Sequence, residues 1–140
     1  MDKFREIRPI VLGLVKKGDK ILVQEGFDKV KNTTFYRSLG GGIEFLETAE
    51  QALIREFKEE IDAEIKILNK VDVIENIFVY QGKKAHEIMF VYDVEIPENQ
   101  IENEYVIYEG AIKSVAKWID RDDFISGRKI VYPESVVKYI

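Results

Sequence analysis

A run of three glycines ends an extended segment and opens onto a helix crowded with acid, and nothing else in the sequence restricts the fold as much. The stretch is LGGGIEFLETAEQALIREFKEEIDAEI, from Leu39 to Ile65. Thr48 followed by Gln51 has the spacing of a capping box, so the helix is expected to begin at about Ala49. Taking about 100° per residue with Glu56 at zero, Leu53, Ile54, Phe57 and Ile61 fall between about 60° and 160°, a stripe suited to burial. Glu56, Glu59 and Glu60 fall beside that stripe, and Ala49 and Ala52 share their arc, which leaves room for something to approach. Like charges at i and i+4 weaken a helix by roughly 0.2–0.5 kcal/mol per pair. An external cation would relieve them, and hard divalent ions take carboxylate oxygens. The simpler reading is a charged, solvated helix edge with loose ion pairs to Arg55 and Lys58. Against it stand the glycines, which let the backbone approach a ligand closely, and Glu47 near the helix start. Carboxylates gathered on one helix behind such a loop suit a metal-bound diphosphate.

The rest of the chain reads as one α/β domain over residues 1–140. At 140 residues, a domain buries roughly two-thirds of its unfolded surface, enough for a substantial core. The segment IVLGLVKKGDKILVQEG reads as a hairpin and TFYRSL as a short strand. IKILNKVDVIENIFVYQ and HEIMFVYDVEI are β-branched and aromatic and should pair as long strands about GKKA. PENQIENEYVIYEG reads mainly as loop, with YVIY a brief strand at most. AIKSVAKWI is a last strand, DRDDFISG a short helix and PESVVKYI a C-terminal helix.

Cysteine is absent, which removes disulfides, thiolate metal sites and cysteine catalysis and fits a cytoplasmic location. The N-terminal stretch MDKFREIRPIVLGLV holds an apolar run too short for a membrane span or signal peptide. A net charge of −5 disfavours a nucleic-acid polymer as partner, while a small anion stays admissible through local cations or a metal. A homodimer is compatible with all of this.

Gly41, Glu47, Arg55, Glu56, Phe57, Glu59 and Glu60 fall in register with the box G-x5-E-x7-R-E-U-x-E-E-x-G-U, in which U is a bulky aliphatic residue. In this the chain resembles the Nudix (MutT-related) hydrolases. It departs at Asp62, where the box has Gly, and at Ala63, where it has an aliphatic; Phe57 is an aromatic variant. The resemblance implies an α/β/α sandwich with a mixed sheet between helices. It also implies metal-dependent hydrolysis, with Mg²⁺ or Mn²⁺, of a nucleoside diphosphate linked to another moiety. ADP-ribose or another nucleotide sugar, a dinucleoside polyphosphate and an oxidised nucleoside triphosphate all remain open. Carried over by position, Glu59 and Glu60 would bind metal, and Glu56 would bind metal or act as base. Arg55 would orient a glutamate, Glu47 would support the metal shell and the Gly40 carbonyl would complete it.

Some relatives take their base from the loop before the last strand, where Glu102, Glu104 and Glu109 lie; Glu104 ranks first. Arg37, just before the glycines, and Arg8, from the first strand, are phosphate candidates, with surface ion pairing as the plain alternative, and Gly41 and Gly42 are candidates for close backbone approach to the substrate. Phe35 and Tyr36 could stack on a base or belong to the core. His86, the one histidine, reads as structural. Tyr132 and Glu134 could close a pocket or cap the last helix. Two other classes remain: a silent nucleotide sensor, supported only by Asp62, and an acidic docking module, for which the glycine run would be accidental.

Overall fold

The computed structural model describes residues 5–140; the first residues of the N-terminal stretch lie outside it. The chain forms β1 (Ile7–Leu14), β2 (Lys16–Lys17), β3 (Lys20–Asp28), β4 (Thr33–Arg37), β5 (Leu39–Gly42), α1 (Ala49–Ile61), β6 (Lys66–Tyr80), β7 (Lys83–Glu95), β8 (Glu104–Glu109), β9 (Ile112–Asp120) and α2 (Arg121–Ile125). A mixed sheet runs β5-β1-β7-β6, with β1 and β7 parallel and the other pairs antiparallel. An antiparallel sheet runs β2-β3-β9-β8, with β4 also on β3. The result is an α/β fold of one mixed and one antiparallel sheet with few helices.

β1 explains why the two sheets separate. From Ile10 to Leu14 every residue is buried, Gly13 included. A strand buried on both faces belongs inside a sheet. Val11 joins a core with Leu53 and Phe57 of α1, whereas Ile10, Leu12 and Leu14 join one with Ile74, Met89, Phe124 and Val136. Gly13 leaves space for the Phe57 ring, since a Cβ there would lie 2.7 Å from it. The expected first hairpin is therefore corrected: β1 pairs with β5 and β7, and only the two residues of β2 turn back on β3.

The long β6 and β7 pair as expected, but β7 starts at Lys83, so the turn is shorter than GKKA implied. YVIY belongs to a full six-residue strand, β8, which β9 pairs along its length. PESVVKYI forms a 3₁₀ helix at Glu134–Tyr139 rather than an α-helix. It is pinned by Val136 in the core and by a hydrogen bond from the Tyr139 hydroxyl to Asp72.

α1 starts where its cap predicts. The Gln51 amide donates to Thr48 Oγ1 at 3.1 Å and the Thr48 amide to Gln51 Oε1 at 2.9 Å, an arrangement worth about 1 kcal/mol. Leu53 and Phe57 are fully buried, each contributing roughly 1.5–3 kcal/mol. Two expectations for the helix are corrected. Ile54 is 48% exposed, because the sheet covers only a narrow stripe, and Ala52 fills core instead of leaving space for a ligand. Among the described residues no helix is long and apolar enough to cross a membrane.

Candidate active site

β5 lies antiparallel to β1 and carries its glycines against the flank of α1. Gly40 has φ 149°, and a Cβ there would lie 1.9 Å from the Val11 carbonyl oxygen. A Cβ on Gly41 would lie between 2.6 and 2.8 Å from the Glu56 carboxylate. Glycine is thus required so that backbone can lie directly against an acid. Gly41→Ala is expected to displace Glu56 and to lower kcat/KM by about 100-fold, the scale on which small misplacements act. The melting temperature should change little, because the clash is with a movable side-chain end; calorimetry beside steady-state kinetics checks both.

Arg55 organises the helix acids. Its Nε and Nη2 donate to the two oxygens of Glu47 at 2.7 and 2.9 Å, and Nη2 also donates to the Gly42 carbonyl at 2.9 Å. Nη1 reaches Glu56 at 2.9 Å and Glu59 at 3.3 Å. A planar fork can serve this many acceptors where a lysine could not. The Arg55 hydrogen bonds, helped by the Glu44 backbone, hold the Glu47 carboxyl down at about 2.

Glu60 differs from its neighbours. Its Oε1 is enclosed and has no hydrogen-bond partner among the described residues. Burial, then the charges of Glu56 and Glu109, push its carboxyl up to about 8, against the opposing pull of Arg37 and the Gly40 backbone. Burial likewise raises Glu56, opposed by Arg55 and reinforced by Glu59 and Glu109. Glu56, Glu60, Glu109, Arg37 and Gly40 therefore share one electrostatic neighbourhood.

Glu109, rather than the first-ranked Glu104, carries charge into that neighbourhood. Side chains alternate along a strand, so Glu109 shares the face of Tyr105 and Ile107, which pack toward α1, while Glu104 has the opposite parity. Glu104 is exposed, opposite Lys117, and roughly 16 Å along the strand from Glu109 at about 3.3 Å per residue. Glu109 also accepts a hydrogen bond from Gln24 Nε2 at 3.2 Å. Arg8 pairs with the buried Glu87 at 3.4 Å, and its Nη2 would lie 3.8 Å from a Cβ on Gly42. Phe35 and Tyr36 are core; Phe35 packs against Tyr132 with ring centres 5.1 Å apart, and Glu134 is exposed. His86 sits on β7 between Ile7 and Ile77, where no acid of α1 is its strand neighbour.

Among the described residues no three acids or histidines stand in a ready-made metal-binding arrangement. Arg55 engages Glu47, Glu56 and Glu59 instead. The donor set nevertheless suits a hard cation, since Glu60 presents an enclosed, unbonded carboxylate oxygen close to Glu56. Glu59, with 60% of its side chain in solvent, can change rotamer at little cost.

Both departures from the box are accommodated by the backbone. Asp62 takes the left-handed conformation, φ 53° and ψ 39°, that a closing glycine would supply. Its amide donates to the Lys58 carbonyl, its carboxylate meets Lys58 Nζ at 2.8 Å, and the next residue, Ala63, is buried in the core. The helix end is thus intact.

Comparison with known proteins agrees with this geometry. A NUDIX hydrolase from Nitrosomonas europaea superposes with a TM-score of 0.70 at 16% identity, covering 95% of this chain and 85% of that one. A NUDIX-family hydrolase from Clostridium perfringens gives 0.61 at 21% identity, covering 96% and 93%. A MutT NUDIX hydrolase from Burkholderia pseudomallei gives 0.58 at 20%, covering 84% and 85%. No curated protein sequence matches this one. The sequence itself matches the NUDIX domain over residues 6–136. That span holds the glycine strand, the Arg55 hub and every acid gathered around Glu60, and it places the chain in the Nudix family, as a hydrolase of phosphoanhydride bonds.

Proposed function

We propose that this chain is a divalent-metal-dependent pyrophosphohydrolase that cleaves a nucleoside diphosphate joined to another moiety, by attack of water at phosphorus. The observation that carries this reading is the enclosed, unbonded oxygen of Glu60 beside the partly buried Glu56. Glu56, Glu59 and Glu60 would hold Mg²⁺ or Mn²⁺, with the Gly40 carbonyl and Glu47 as further donors. When bound, the metal would draw charge from the diphosphate oxygens and make a bound water more acidic.

The chain's own residues supply the rest. Arg55 keeps Glu47, Glu56 and Glu59 in position, which limits the reorganisation needed during reaction. Gly41 and Gly42 leave the backbone open to a phosphate, and Arg37 and Arg8 supply positive charge near them. A carboxylate accepts the proton released by water. Glu56 is the first candidate, because burial favours its taking up a proton; Glu109, whose charge bears on Glu56, is the second. Glu104 would have to act from the opposite strand face.

Asp62 gave the silent-sensor reading its one support, and its left-handed helix closure removes that support. The test is a panel of ADP-ribose, other nucleotide sugars, dinucleoside polyphosphates and oxidised nucleoside triphosphates, each with millimolar Mg²⁺ or Mn²⁺ and with EDTA, products being identified by mass. Metal-dependent release of a nucleoside monophosphate is expected from one class. Metal-dependent binding without turnover across the panel would replace the enzyme reading by the sensor.

A further inference from the structure

Three neighbouring strands of the antiparallel sheet each change from core to polar on the face turned to α1. Leu22 of β3, Ala116 of β9 and Ile107 of β8 are buried there, in the core that holds Leu53 and Phe57. One step of the two-residue repeat away from each stand Gln24, Ser114 and Glu109. Gln24 and Ser114 are half-buried and Glu109 is exposed. Glu25, the next residue of β3, has the opposite parity and meets Tyr36 and Lys117 on the far side of the sheet.

The three polar side chains are bonded to one another. Gln24 Nε2 donates to Ser114 Oγ at 2.6 Å and to Glu109 Oε1 at 3.2 Å. An ionised carboxylate only accepts, so the nitrogen is the end of the amide that must face Glu109, and its second hydrogen serves Ser114. Glu109 is the last residue of β8, four beyond Tyr105, which lies level with Gln24 across Ala116. The two side chains therefore reach along the face to meet. That reach keeps the Glu109 carboxylate over the sheet instead of in the water beyond the strand end, and its charge bears on Glu56 and Glu60. Arg37, which pairs with Gln24 in register, bears on Glu60 as well.

An exposed glutamate at a strand end samples many rotamers, and fixing it before the substrate arrives removes reorganisation from the reaction. We propose that Gln24, itself held by Ser114, is a positioning residue that turns Glu109 into the site, where the Glu109 carboxylate accepts a hydrogen bond from the water that attacks phosphorus. The role in attack rests on the pyrophosphohydrolase reading above, whereas the tether stands on the two hydrogen bonds alone. A residue that merely finished the edge of the core would act on stability and not through Glu109.

Two measurements separate the tether from the reaction. In metal-free protein, the side-chain amide protons of Gln24, identified in NMR spectra by their loss in Gln24→Ala, should move upfield in Glu109→Ala as the hydrogen bond is lost; unmoved signals would overturn the tether. On the panel member that is turned over with Mg²⁺, Gln24→Ala should lower kcat by about 10-fold with KM and melting temperature little changed. Glu109→Ala should lower kcat by about 10-fold or more, and adding Gln24→Ala to it should cost nothing further, because the two act as one unit. Gln24→Lys keeps a donor within reach and should recover most of the loss, whereas Gln24→Glu, equal in size but without a donor, should not. An unchanged kcat in Gln24→Ala, additive losses in the double variant, or full activity in Gln24→Glu would each overturn the proposal and leave the hydrolase reading standing. No turnover by the natural protein, with the amide shift present, would overturn the hydrolase reading and the role in attack together.

Discussion

Glu60→Gln is expected to lower turnover by about 1,000-fold or more, a loss of roughly 4 kcal/mol of transition-state stabilisation, while the protein remains folded. The metal-free protein should show the same residue in its stability. Burial and neighbouring acids hold the Glu60 carboxyl at about 8 in the folded chain, well above an ordinary carboxylate. Between the ordinary value and about 8 the folded state therefore binds the proton and the unfolded state does not. Stability is fully present below that window, falls as pH rises through it by up to about 1.4 kcal/mol per unit, and levels off above it. Glutamine cannot ionise, so the metal-free variant should lack this slope and match or exceed the natural protein near pH 8. Added Mg²⁺ or Mn²⁺ should raise the melting temperature of the natural protein more than that of the variant. Melting curves in EDTA from pH 5 to 9 test the first part; equal slopes for the two proteins would remove Glu60 from the account.

The second large effect belongs to Arg55→Ala. Removing the guanidinium strands Glu47 and Glu56, each of which has at least four-fifths of its side chain out of solvent. Stability should fall by about 2–3 kcal/mol, somewhat less than for a fully buried pair because the site is partly wet. Glu47, held at about 2 by these bonds, should titrate again near an ordinary carboxylate, which carbon-detected NMR can follow. Turnover should drop about 100-fold because the acids lose their common anchor. Arg55→Lys should recover little of either, since one ammonium cannot reach Glu47, Glu56 and the Gly42 carbonyl together. A denaturation midpoint unchanged by Arg55→Ala would contradict the hub.

Local chemistry was legible in the sequence and non-local pairing was not. Thr48 and Gln51 announce the helix start, and the spacing of Glu56, Glu59 and Glu60 puts them on one flank, because both depend on residues a few positions apart. The β-branched runs of β6 and β7 likewise announce a long hairpin. The partners of β1 are another matter, since Met89 and Gly42 both flank Ile10 from distant parts of the chain. Glu109 shows the limit within the site. Tyr105, Val106, Ile107 and Tyr108 are all apolar or aromatic, so alternation could not tell which face of β8 turns inward, and with it which glutamate. Ile54 failed for a related reason: its angle on the helix was right for burial, but the width of sheet beneath it is not written in the helix.

The position of β1 also bears on how the protein is made. Its neighbour β5 emerges soon after it during synthesis, whereas β7, its other neighbour, ends only at Glu95. Until then one edge of a strongly apolar strand has no permanent companion, and contacts of such long sequence separation form slowly. A nascent chain halted before Glu95 would hold the glycine strand and the acid helix against an incomplete sheet, in a state suited to chaperone capture and aggregation.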